Sequence, residues 1–236
     1  MHPFLGEFIG TAILILLGDG VVANVVLSKT KGNSSGLIVI AFGWAIAVFA
    51  GLFVASHFSK AHLNPAFTLA AAYVGNNFSW TEVPVYIAGQ MTGAMFGALL
   101  VWLSYKLHFN ATQDAEAKLA VFCTGPAIRS TPNNLITELV ATFVLVFAVL
   151  YIVSPASSLG SLNTLPVALL VLGIGVSLGG PTGYAINPAR DLGPRIMHAI
   201  LPIPGKRDSD WGYAWIPVLG PIVGGLLAAV VFTLLA

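Results

Sequence analysis

Asn-Pro-Ala occurs twice, in "AHLNPAFTLA" from Asn64 and in "GYAINPARDLGPR" from Asn187. Asparagine is among the best helix N-caps, and proline suits the first turn, where its missing N–H would have had no partner. Each copy therefore reads as the start of a helix. The asparagine oxygen can accept from the free N–H groups of that first turn, which leaves the side-chain NH₂ as a donor. Two such helices meeting at their N-termini would bring two positive dipole ends together, repelling cations and protons while holding a neutral hydroxyl or water oxygen.

Arg190 follows Asn187 by three residues, where a cation opposes the dipole of the helix it sits on. Its five fixed donors could hold a hydroxyl-bearing solute by two oxygens. The alternative is a structural ion pair with Glu138 or Asp191. Asp191 is favourably placed beside the same N-terminus, so it either stabilises the helix or shapes the neighbouring loop. Glu7 and Glu138 sit one turn into their apolar runs and are suited to accept hydrogen bonds from non-helical loops; a proton relay is the other reading. Asp19, in "LLGDGVV", has no counterpart elsewhere in the chain. His62 lies two residues before Asn64 with no second ligand at metal spacing, so a hydrogen-bonded loop histidine is expected. Neither a phosphate-binding loop, a Gly-x-Ser-x-Gly elbow nor a His-Glu-x-x-His motif is present, which argues against an enzyme.

The elements that must position these residues follow from composition. Of 236 residues, 57% are hydrophobic and only 8% charged, too little polar surface for a water-exposed exterior. Six continuous apolar runs, at about 3–27, 37–57, 83–106, 134–153, 163–180 and 214–236, approach the ~20 residues needed to cross a bilayer. Continuous rather than alternating hydrophobicity favours helices over barrel strands, so the expected class is an all-α membrane protein. The first run is too long for a signal core and lacks a cleavage site, so it reads as a retained helix. A net charge of +1 points to no nucleic acid or acidic partner. Cys123 is the only cysteine, which leaves no intrachain disulfide and no cysteine metal cage.

The chain also repeats itself. "EFIGT" from Glu7 aligns with "ELVAT" from Glu138, and "GQMTG" from Gly89 with "GPIVG" from Gly220, at one offset of 131. The halves, about 1–106 and 134–236, each hold three runs and one Asn-Pro-Ala, with 107–133 as connector. An odd number of crossings per half makes the repeat inverted, and the whole is read as one domain. From Asn64 to Val74 the chain is about half a bilayer long as a helix, and the second copy behaves likewise. Matched half-spans in inverted halves point to a midplane site lined by wet, non-helical backbone.

With "GEFIGT", "AHLNPA", "AGQMTGA", "TELVAT", "TGYAINPARD" and "IPVLGP" in order along nearly its whole length, the sequence resembles the major intrinsic protein family, the aquaporins and glycerol facilitators. The resemblance implies an aquaporin-like bundle of six transmembrane helices and two half-helices, with a pore in each protomer of a homotetramer in the cell membrane. It implies Asn64 and Asn187 as midplane donors, with the carbonyls of Ala61, His62, Leu63, Gly183, Tyr184, Ala185 and Ile186 as an acceptor track. The four filter positions fall on Trp44, Gly175, Tyr184 and Arg190. Water-selective members generally place histidine where Gly175 stands, so glycine here implies a wider filter, with aromatics for carbon and arginine for hydroxyls. Asp191 marks the glycerol-facilitator subgroup, with Tyr105, Arg195, Pro217 and Val218 in agreement.

The activity this resemblance implies is passive movement of glycerol, water and other small uncharged solutes, among them urea, dihydroxyacetone, hydrogen peroxide and neutral lactic acid, without a cofactor. A water-selective channel and a proton-coupled transporter using Glu7, Glu138 or Asp19 are the competing expectations. The sequence departs from the family pattern at Tyr184, commonly phenylalanine in glycerol facilitators, and at Lys60, commonly glycine. Family topology implies cytoplasmic termini, whereas the positive-inside rule favours the opposite orientation, because Lys29, Lys31, Lys118, Arg129, Lys206 and Arg207 would all lie outside. Pro194 is expected to remove one backbone bond from the second half-helix and kink it.

Overall fold

A computed structural model describes residues 2–75, 77–152 and 162–235. Among these residues the regular structure is entirely helical: α1 (Pro3–Val26), α2 (Leu37–Ala55), α3 (Pro65–Val74), α4 (Val83–Ala111), α5 (Ala115–Ala120), α6 (Thr131–Ile152), α7 (Leu165–Leu178), α8 (Pro188–Ile200) and α9 (Ile216–Leu235). Five of them, α1, α2, α4, α6 and α9, are long and apolar enough to cross a bilayer.

The fifth expected span is shorter than the sequence suggests. α7 has 14 residues, about 21 Å at 1.5 Å per residue. Leu162–Thr164 form a tight turn, and Pro166 sits in the first turn of α7, where proline is tolerated only because its N–H is not needed. The preceding end of the fourth run, Val153, lies outside the described residues. The connector is also not a plain linker over 107–133. α4 continues to Ala111, Asp114 caps the short α5 through Glu116 and Ala117 N–H, and α6 already begins at Thr131.

Helices that are apolar all round are held together by close approach rather than by an amphipathic stripe. α1 packs on α4 and α2, while α6 packs on α9 and α7. At the α1–α4 crossing a Cβ added to Gly93 would lie 2.3 Å from the Phe8 carbonyl oxygen, and at the α6–α9 crossing one added to Gly224 would lie 2.3 Å from the Leu139 carbonyl oxygen. The two contacts are related by the sequence offset of 131. The half-helices cross over: α3 leans on α9 and α8 on α4, each against a long helix of the other half. Gly225 lets α9 touch the Ala66 carbonyl, and Gly193 lets α8 touch Ala94.

Gly93→Val should lower the apparent melting temperature of the detergent-solubilised protein, through overpacking of about 1–3 kcal/mol. Gly20→Ala, where an added Cβ meets nothing within 4 Å, should not; a differential thermal-melting comparison of the two checks this.

Candidate functional site

The half-helices α3 and α8 begin at Asn64 and Asn187, both in extended backbone with φ −152° and −153°. Asn64 Oδ1 accepts from Ala66 N–H at 2.9 Å, and Asn187 Oδ1 from Ala189 at 3.0 Å and Arg190 at 3.3 Å. The side-chain NH₂ groups are not wholly free, which corrects the simpler sequence expectation. Asn64 Nδ2 donates to the Ile186 carbonyl at 2.9 Å and Asn187 Nδ2 to the Leu63 carbonyl at 2.8 Å. An amide nitrogen carries two protons, so each asparagine clasps the opposite loop with one and keeps the other.

The backbone leading into each asparagine is bent into an unusual shape. Ala61, Leu63, Gly183, Tyr184 and Ile186 have φ of 52°, 50°, 80°, 41° and 46°. Only Gly183 adopts such an angle without cost, and for β-branched Ile186 it is a genuine outlier. Two buried carboxylates hold these loops. Glu7 accepts from His62 N–H at 3.0 Å, Leu63 N–H at 2.7 Å, the Ser59 hydroxyl at 2.6 Å and the Gln90 amide at 2.8 Å. Glu138 accepts from Ala185 N–H at 3.0 Å, Ile186 N–H at 2.9 Å and the Thr182 hydroxyl at 2.6 Å. His62 lies edge-on to Phe67 and Phe78 and tilted against Tyr86, with Nδ1 3.3 Å from the Thr68 hydroxyl.

These loops line a cavity of about 280 Å³. Lys60, Ala61, His62, Leu63, Asn64, Ala185, Ile186, Asn187 and Arg190 contribute to it, and Leu52, Phe67, Val149 and Val171 are among its apolar lining residues. Such a lining offers apolar surface to carbon and polar groups to hydroxyls.

Trp44, Tyr184 and Arg190 also line the cavity. The Arg190 guanidinium lies 4.0 Å from the centre of the Trp44 ring, a cation–π stack. Gly175 stands behind Tyr184: a Cβ there would lie 3.0 Å from the tyrosine ring, and one at Gly179 only 2.5 Å from it. The Tyr184 ring thus packs into the space left by the missing side chain. Gly183 packs toward Thr124. The Tyr184 hydroxyl is buried with no hydrogen-bond partner among the described residues.

Arg190 pairs with neither Glu138 nor Asp191. Its nearest carboxylate is that of Asp19, with Nη1 to Oδ1 at 3.7 Å. Asp191 turns away instead, accepting from Thr124 N–H at 2.8 Å and the Thr124 hydroxyl at 2.7 Å, and from Arg195 Nε at 2.8 Å. Arg195 is fully buried and also donates to the Ser209 carbonyl at 2.8 Å and the Thr124 carbonyl at 2.9 Å. This pair ties α8 to the loops behind it, and α8 runs unbroken across Pro194. Sequence reasoning placed Arg195 only as a subgroup residue, although its i, i+4 spacing from Asp191 was a usable signal. It gave Asp19 a role only in the competing coupled-transporter expectation; a charge inside an apolar run was the available signal.

Most of the basic residues expected on one face are engaged. Lys206 donates to the Ala199 and Leu201 carbonyls, each at 2.8 Å, capping the end of α8, while Lys118 donates to the Pro204 carbonyl. Arg129 pairs with Asp210 and Arg207 with Glu116.

Replacing Glu138 by Gln puts a donor where two N–H groups and a hydroxyl converge. The expected cost is about 1–3 kcal/mol for the buried group left unsatisfied. Solute flux per incorporated protein should fall with it, measured by vesicle swelling normalised to immunoblot.

Comparison with known proteins places this geometry among its relatives. Residues 1–232 match the family model described as Major intrinsic protein. The chain is 57% identical over 229 residues to a probable glycerol uptake facilitator protein of Thermotoga maritima, covering 97% of both chains. It is 56% identical over 234 residues to the glycerol uptake facilitator protein of Streptococcus pneumoniae, covering 99% of both. The X-ray structure of the aquaglyceroporin from Plasmodium falciparum superposes with a TM-score of 0.86 at 30% identity, over 97% of this chain and 93% of that one.

Proposed function

The chain belongs to the major intrinsic protein family, and from that premise we propose that it is a passive channel for glycerol, which also admits water. The observation that carries this reading is that Trp44, Tyr184 and Arg190 line one cavity, with the Arg190 guanidinium 4.0 Å from the centre of the Trp44 ring. A polyol can lay its carbons on the aromatic and aliphatic wall while its hydroxyls exchange water for the guanidinium, the free asparagine protons and the loop carbonyls. Its relatives named glycerol uptake facilitators support the same solute. Urea, dihydroxyacetone, hydrogen peroxide and neutral lactic acid fit the same size and charge class.

In this reading Asn64 and Asn187 are the midplane donors. Ala61, His62, Leu63, Gly183, Tyr184, Ala185 and Ile186 supply the acceptor track, though Leu63 and Ile186 each spend one lone pair on the clasp. Trp44, Tyr184 and Arg190 form the filter, with Gly175 as the seat of Tyr184. Glu7 and Glu138 are loop supports: each already accepts three or more hydrogen bonds, which leaves little scope for a proton relay. Asp191 sets the back of the filter through Thr124 and Arg195. The full chain, 1–236, acts as one channel domain of two inverted halves. Assembly as a homotetramer in the cell membrane with cytoplasmic termini completes the proposal. The engagement of Lys118, Lys206, Arg129 and Arg207 in local structure gives those cations a structural role on whichever side of the membrane they lie.

Reconstituted vesicles mixed with a glycerol gradient in a stopped-flow device should shrink and then re-swell, at a rate insensitive to an uncoupler. Shrinkage without re-swelling would instead identify a water-selective pore, and uncoupler-sensitive accumulation a coupled transporter. Tyr184→Phe removes the unpartnered hydroxyl and should change the glycerol-to-water permeability ratio by an amount corresponding to about 1 kcal/mol; an unchanged ratio would show that the hydroxyl does not tune the filter.

A further inference from the structure

Asp19 is fully buried in α1, and neither of its carboxylate oxygens has a hydrogen-bond partner among the described residues. Arg190 Nη1, 3.7 Å away, is likewise buried and unpartnered. No other carboxylate lies within ion-pair distance of Arg190 among the described residues, since Asp191 is taken by Arg195 and Thr124. The neighbouring residue completes the arrangement. A Cβ on Gly18 would lie 2.2 Å from the Trp44 ring, so Gly18 seats the indole on which the guanidinium stacks. One step of α1 thereby locates both halves of the Trp44–Arg190 pair.

An isolated charge at membrane depth is expensive, and removing one partner of a buried pair leaves the other uncompensated. We propose that Asp19 is the positioning residue that sets the charge of the constriction. It acts on the permeating solute through Arg190, holding the guanidinium over Trp44 and cancelling its net charge. The filter then offers hydrogen-bond donors for neutral hydroxylated solutes without becoming a site for small anions. This inference rests on the channel reading and adds a residue to it.

The experiment compares wild type, Asp19→Asn, Asp19→Glu, Arg190→Ala and the double variant D19N/R190A, with Gly20→Ala as a control. Stopped-flow gives the glycerol-to-water permeability ratio, and the reversal potential in a potassium nitrate gradient shows which ion crosses. Asp19→Asn should lower the ratio about threefold or more, as expected when coupled neighbours are separated, and should move the reversal potential toward nitrate. Asp19→Glu, which keeps the charge, should pass less nitrate than Asp19→Asn. Arg190→Ala, which removes the guanidinium between the cavity and Asp19 and leaves that carboxylate without its cation, should move the potential toward potassium, and D19N/R190A should abolish that leak. A purely packing role would depress glycerol and water together, leaving the ratio and the potential where they are in wild type.

If Asp19→Asn fails to accumulate, the comparison of Arg190→Ala with the double variant decides. Equal potassium leak in the two, or a wild-type ratio and no nitrate permeability in Asp19→Asn, overturns the proposal. Wild-type vesicles that fail to re-swell overturn the channel reading and this inference together; wild-type re-swelling with unaltered variants overturns this inference alone.

Discussion

Backbone N–H groups at the middle of a bilayer have no water to turn to, and an open loop there survives only if the protein supplies acceptors. Glu7 and Glu138 are those acceptors. Between them they take the N–H groups of His62, Leu63, Ala185 and Ile186, the donors released when the chain leaves helical geometry. Because the carboxylates occupy the N–H side of each loop, the opposite side is left for carbonyls. The positive φ angles of Leu63 and Ile186 are the local cost, a strain concentrated where the wet wall is built.

The clasp between the halves extends the same logic. Each asparagine spends its oxygen on its own helix and one N–H on the other loop's carbonyl, so the two half-helices fix one another without an ion pair. Each half-helix also rests against the long helix of the opposite half through a glycine. Behind the second half-helix the Asp191–Arg195 pair locks α8 to the loops at Thr124 and Ser209. The clasp and the glycine contacts recur in both halves, so the passage is walled from two sides by elements that cannot shift independently.

What the repeat wrote twice was the most legible part of the sequence. Glu7 and Glu138 recur at an offset of 131 and the Asn-Pro-Ala caps at one of 123, and local chemistry assigns each a role. Features written once were legible only in part: Arg190 stood out as a cation against its helix dipole, but its neighbours did not. The length of α7 depends on a turn at Leu162–Thr164 that hydropathy alone merges into the span. The seat of Tyr184 on Gly175 and Gly179 requires two helical positions and a loop to be brought together in three dimensions. The second proton of each asparagine looked free because its acceptor, a carbonyl 122 or 124 residues away, belongs to the other half.

For the proposed channel, the repeat also bears on where selection would take place. α2 and α7 both end nine residues before their asparagine, so the two half-spans can be superimposed from helix to cap. Phe67 then corresponds to Arg190, Ala61 to Tyr184 and Leu52 to Gly175, while in the first helices Asp19 corresponds to Leu150. Every position that builds the constriction in one half is replaced by a residue of different size or charge in the other. With the halves inverted as proposed, these substitutes would lie toward the opposite mouth, without the arginine, its carboxylate or the tyrosine. In that proposal the clasp and the loop supports follow the symmetry, and the filter residues break it. A constriction at both mouths would place two uncompensated resistances in series for no gain in discrimination, whereas one asymmetric filter above a symmetric clasp discriminates once and leaves the rest of the passage free.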